Sequence, residues 1–115
     1  MKKGTYDVRM GDGELVPVTA WEFDLFGLDT LIVHKDVEYS NQWTVSEPRS
    51  GGTCLRLQKT RKGAIEESYR IFHQDRHFSQ EEFEDLVQGV LNRFPDTPTK
   101  YLKEKQDASE RSEAG

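Results

Sequence analysis

A single apolar stripe near the C-terminus constrains this chain more than any other feature. Phe83, Leu86, Val87, Val90, Leu91 and Phe94 recur at the three- and four-residue steps that place side chains on one helix face. Ser79, followed three residues later by Glu82, has the spacing of a capping box, and Phe78 with Phe83 suits a hydrophobic staple. Pro95 ends the pattern, because its ring cannot continue a helix. A helix with so continuous a stripe must press it against an extended apolar surface. The residues before it supply that surface as strands.

"TYDVRM" alternates Tyr6, Val8 and Met10 with Asp7 and Arg9, and the following "GDG" gives the backbone freedom for a tight turn. In "ELVPVTAWEFDLF" the apolar parity changes: Val16, Val18 and Ala20 share one phase, Trp21, Phe23 and Leu25 the other. A one-residue phase change reads as a bulge or a break, and Pro17 assigns the first half to a sheet edge. "FGLD" turns into "TLIVHK", a short buried strand, and "EPRSGG" joins "WTVS" to "TCLRL" as a hairpin. A first helix, "RKGAIEESYRIFHQ", is capped by Thr60 and directs Ala64, Ile65, Ser68, Tyr69 and Phe72 inward, with Gly63 weakening its first turn. The expected fold is α+β: an antiparallel sheet of four to five strands, with two C-terminal helices packed on one face.

At 115 residues the chain suits one domain. Its apolar share, 34%, is low because "DTPTKYLKEKQDASERSEAG" contributes almost nothing apolar. That segment cannot bury enough surface to offset the entropy of ordering, so residues 1–95 are expected to fold and 96–115 to form a disordered tail. The single Cys54 excludes an internal disulfide. Leu31-Ile32-Val33 is the longest apolar run, and "MKKGTYDVRMGDG" has no signal-peptide core, so a cytoplasmic protein without a membrane span is expected.

The net charge of -5 is unevenly spread. Residues 49–77 carry seven basic and three acidic side chains, whereas residues 1–48 carry four and nine. Residues 78–115 carry five and nine. An acidic chain is a poor general partner for nucleic acid, since binding depends on clustered Lys and Arg neutralising phosphates. The middle segment is the exception, with Arg49, Arg56, Lys59, Arg61, Lys62, Arg70 and Arg76. Of these, Arg56, Lys59, Arg61 and Lys62 lie on one strand and the adjoining helix start, where one basic patch could form, though no aromatic residue is interleaved for base stacking.

Catalytic and metal motifs are weak. A phosphate loop needs its glycines between a strand and a helix, and Gly51-Gly52 stand between two strands. His73 and His77 have the four-residue step of two ligands on one helix face, but they fall at a helix end, and Gln74 stands where a zinc-protease helix has its glutamate. His34 has no nucleophile tied to it by any motif, and Cys54 reads as a small buried residue. Glu81, Glu82, Glu84 and Asp85 suit the positive end of the second helix better than an acid–base pair. No cofactor, metal or catalytic residue is expected.

The string "WTVSEPRSG", followed by a strand and "TRKGAIEE", resembles a pattern in small proteins of phages and other mobile elements. Trp43, Val45, Ser46, Ser50, Gly51, Thr60, Ala64 and Ile65 match it; the doubled Gly51-Gly52 departs from it. The resemblance implies a setting more than an activity. The expectation is therefore a non-catalytic accessory or inhibitor module that binds a host protein, with nucleic-acid binding by the basic segment as the alternative.

Overall fold

The computed structural model describes residues 1–25, 30–75 and 79–114, with backbone alone for 74–75 and 108–114. Five strands, β1 (Lys3–Arg9), β2 (Leu15–Asp24), β3 (Thr30–Lys35), β4 (Trp43–Ser46) and β5 (Thr53–Gln58), form one antiparallel sheet in sequence order. Helix α1 (Arg61–Tyr69) runs into a π-helical segment, Arg70–Asp75, followed by α2 (Gln80–Arg93) and α3 (Lys100–Ala114). The α+β class and the strand-first order are as the alternation patterns indicate. The expected "FGLD" turn, the Phe78 staple and His77 lie outside the described residues.

Both helix starts are capped as their sequences imply. Thr60 Oγ1 accepts the Gly63 amide at 2.9 Å, and Ser79 Oγ accepts the Glu82 amide at 3.1 Å. Each cap satisfies one of the amides a helix leaves without a partner at its first turn. Phe83 and Val87 of α2 enter the main core with Phe23, Leu25, Leu31, Val33, Val45, Ala64 and Phe72. Leu86 does not: it is 60% exposed. The stripe is wider than the sheet surface available to it, and its flank stays in solvent.

The phase change in β2 is neither a bulge nor a break. Its pairing with β1 runs in unbroken register from Lys3↔Trp21 to Arg9↔Leu15, and with β3 from Ala20↔His34 to Asp24↔Thr30. The two parities feed two cores on opposite faces of the sheet. Phe23 and Leu25 join the helix-covered core, whereas Ala20 packs with Tyr6, Val8 and Ile32, with Val16, Val18 and Tyr101 against them. Successive strand side chains point to opposite faces, so a strand buried on both shows both parities.

Tyr101 belongs to α3, which corrects the expectation of a disordered tail. Its ring sits 6.2 Å from that of Tyr6. Thr99 is fully buried, and its hydroxyl lies 2.8 Å from both Pro48 O and Arg49 O. The Lys100 amide donates to Asp7 Oδ2 at 2.9 Å. The composition argument failed because a few polar anchors, rather than apolar area, hold this segment, and α3 covers the face opposite α1 and α2.

The same region is tied together by Arg9. Its Nε donates to Ser50 O at 2.9 Å, its Nη1 to Gly13 O at 3.0 Å and Thr97 Oγ1 at 2.7 Å, and its Nη2 to Thr97 O at 2.6 Å. Its guanidinium lies 4.8 Å over the Phe94 ring. The Arg9 amide also donates to Gly51 O at 2.8 Å, curling the sheet until β1 meets the β4–β5 loop. Close approach requires glycine twice here. Gly13 has φ 89° and a Cβ would lie 2.4 Å from Phe94, while Gly51 has φ 76° and a Cβ would lie 3.0 Å from the Arg9 amide nitrogen.

Removing residues 96–115 is expected to lower the thermal midpoint on the order of 10 °C, because charged hydrogen bonds of about 1.5–3 kcal/mol each are lost from a small domain. A midpoint unchanged in differential scanning calorimetry would show that the Arg9–Thr97 anchor contributes nothing. In urea titrations Phe83→Ala should cost about 3–5 kcal/mol and Leu86→Ala no more than about 0.5 kcal/mol, a contrast that checks which part of the stripe is core.

Candidate functional site

The β4–β5 loop, where glycine and serine suggested either a phosphate cradle or a turn, is a turn that cradles its own anion. Glu47, almost fully buried, accepts the Arg49 amide at 2.7 Å and the Ser50 amide at 2.8 Å through its carboxylate. Its backbone closes the loop through Glu47 N to Gly52 O and Gly51 N to Glu47 O. The converging amides that would receive a phosphate are occupied by a side chain three residues upstream at most.

The curl of the sheet forms an open pocket of about 110 Å³, lined in part by Arg9, His34, Asp36, Thr44 and Arg56. Asp36 accepts five hydrogen bonds: from Thr44 Oγ1 at 2.6 Å, Arg56 Nε and Nη2 at 3.0 Å, the Tyr39 amide at 3.0 Å and the Glu38 amide at 3.1 Å. The Arg56 guanidinium, with the smaller help of Thr44 and the two amides, holds the Asp36 carboxyl well below the usual carboxylate range.

His34 is buried and sits between two partners. Lys35 O, at 2.7 Å, requires a proton on Nδ1, which leaves Nε2 to accept from Ser46 Oγ at 2.9 Å. Burial pushes its pKa down, so the ring is neutral. A serine hydroxyl on a neutral imidazole is the geometry of an activated nucleophile. Here Ser46 is fully buried, so the pair acts as a satisfied polar link between β3 and β4. Sequence reasoning missed Ser46 as the partner because the contact is cross-strand; the Trp43–Ser46 alternation, once registered on β3, would have shown it.

Most of the basic residues that could form one patch have partners of their own. Arg49 reaches Glu84 on α2 through two bonds, at 2.9 and 2.7 Å, and Glu47 at 3.2 Å. Arg56 turns to Asp36 on the pocket side, while Arg61 turns to the helix-covered side and lies 4.8 Å over the Trp21 ring. Lys62 lies 3.8 Å from Glu66, Arg70 pairs with Glu67, and Lys59 is exposed. Arg49 and Arg56 are met by acidic residues of other segments, and Lys62 and Arg70 by Glu66 and Glu67 of their own.

His73, one half of the expected histidine pair, donates Nε2–H to Leu25 O at 2.6 Å and stacks 5.7 Å from Tyr69. It braces the π-helical segment against the end of β2. Cys54 lines a groove of about 230 Å³ with Phe72, Phe83, Leu86, Val87 and Val90, between β5 and α2. Burial, reinforced by the charge of Glu47, pushes its thiol up to about 12, so it is protonated and a poor nucleophile.

Comparison with protein families, with curated proteins and with solved structures returns no match. No helix among the described residues is long and apolar enough to cross a membrane.

Stability should fall on acidification in two stages. The unfolded chain protonates histidine near about 6.5, while folded His34 resists, so the unfolded state binds more protons and stability drops as pH falls through that value. Asp36, whose folded pKa is depressed, adds a second loss as pH falls below about 4 toward its folded value. Urea midpoints measured from pH 8 to 3 check both stages. Asp36→Asn should abolish the second and lower stability by about 2 kcal/mol at neutral pH.

Proposed function

We propose that this protein is a non-catalytic binding module whose partner is a protein. The observation that carries the reading is the groove between β5 and α2, with Leu86 standing 60% exposed at its side. Phe83 and Val87 satisfy the core, so Leu86 and Val90 leave apolar surface that the described residues do not fully cover. Exposed Glu81, Glu82 and Asp85 flank it on α2. A partner segment offering one or two apolar anchors with basic neighbours fits this chemistry, the apolar groups supplying affinity and the charges orientation.

The polar groups that suggested chemistry support the same reading. The nitrogens of His34, the carboxylate of Asp36 and the carboxylate of Glu47 are all engaged with the chain's own donors and acceptors. The accessory or inhibitor role of a mobile element, acting on a host protein in the cytoplasm, is supported by the resemblance of residues 43–65 to small proteins of that setting.

Leu86→Asp tests the reading, since an exposed position tolerates the change without loss of fold. Affinity capture from host lysate, with nuclease in every arm, should yield a protein retained by the parent and lost at least about tenfold by the variant, as for a central anchor worth about 1.4 kcal/mol or more. Capture that is equal for the two proteins, or no protein retained by the parent in the presence of nuclease, would refute the groove as the docking surface.

A further inference from the structure

At the opposite end of the same sheet face, the chain's two tryptophans meet. Trp21 and Trp43 come from β2 and β4, and their rings lie 5.8 Å apart at 56°. Three exposed cations stand over them: Lys3 at 5.5 Å and Arg61 at 4.8 Å from the Trp21 ring, and Lys35 at 4.6 Å from the Trp43 ring. Two of these contacts are direct cross-strand pairs, Lys3↔Trp21 and Lys35↔Trp43, so the sheet register itself builds them.

We propose that Trp21 and Trp43, with Lys3, Lys35 and Arg61, form a binding surface for single-stranded nucleic acid. Half-buried indole rings offer π faces on which bases stack whatever their identity, and the cations surrounding them meet the phosphates between those bases. The surface differs from the basic 49–77 segment of the sequence reading. It shares only Arg61 with the paired residues of that segment, and it supplies the aromatic groups that segment lacks.

A second observation points to an anionic ligand. The first turn of α1 begins Arg61-Lys62 and carries no acidic residue. Cations at the positive end of a helix oppose its dipole. Lys3 and Lys35 add like charge on the same side of the sheet. An approaching phosphate backbone would neutralise these like charges. Nearest in sequence on α1, Glu66 is engaged with Lys62 and Glu67 with Arg70. The proposal goes beyond the protein-docking groove and does not depend on it, because Trp43 begins β4 whereas the groove lies beside the start of β5 and α2.

The two tryptophans are the only ones in the chain, so intrinsic fluorescence reports on this surface directly. Titration with oligothymidylate or oligouridylate of about 12 nucleotides, within the span of such surfaces, should quench the emission with a salt-sensitive, saturable isotherm. Lys3→Glu with Lys35→Glu, both at exposed positions, should weaken binding at least about tenfold while leaving the thermal midpoint near that of the parent. Trp43→Leu should reduce affinity as well, read by polarisation of labelled oligonucleotide. Absence of quenching, affinity unchanged in the double lysine variant, equal affinity for duplex of the same length, or equal quenching by heparin, which has charge without bases, would each overturn the proposal.

Discussion

The buried guanidinium of Arg9 is the interaction on which the rest of this structure depends. A cation removed from water at the end of an edge strand needs hydrogen-bond acceptors in place of solvent, and burial lowers its pKa accordingly. The acceptors it finds are carbonyls and a hydroxyl from three separate parts of the chain: the β1–β2 turn, the β4–β5 loop and the approach to α3. Each partner is consequently held at a fixed distance from the others. The curl of the sheet, the polar pocket inside it and the docking of α3 all follow from that requirement.

Burial on both faces explains how a modest apolar content serves a five-stranded sheet. β2 contributes to both cores, and β3 is buried on both faces through Leu31 and Val33 on one side and Ile32 and His34 on the other. His34 and Ser46, diagonal neighbours across β3 and β4, then place a buried polar contact between these strands. Such a contact is tolerable only because every donor and acceptor involved has a partner. Polar satisfaction therefore does much of the positioning on the face that α3 covers, and apolar packing does it on the face of α1 and α2.

Local signals were legible in the sequence wherever a few neighbouring residues determine the outcome. Thr60 and Ser79 cap their helices because the relevant amides lie three residues away, and the Trp43–Gln58 hairpin follows from alternation interrupted by Pro and Gly. What could not be read depends on distant partners. The parity change in β2 looks like a defect until the opposite face acquires α3. Leu86 fits the helical stripe as well as Phe83 does, and only the finite width of the opposing sheet separates them. Tyr101 and Thr99 stand in a polar segment whose order comes from Asp7, Arg9 and Pro48. Of the candidate site, the basic residues were visible but their pairing with Asp36, Glu47 and Glu84 was not, and Trp21 and Trp43 were visible as core residues but not as neighbours.

β5 carries a consequence for how the molecule behaves in company. Among the described residues the strand pairs only with β4, and its register shifts twice along four residues of that partner. Leu57 adopts φ 61°, a left-handed conformation that a side-chain-bearing residue adopts at a cost of about 1–2 kcal/mol. The outer row of amides and carbonyls is thereby thrown out of the straight repeat that a second chain would need in order to zip alongside. A flat last strand would let sheets of this protein join end to end into a growing fibril. The irregular strand leaves such growth no straight edge from which to start.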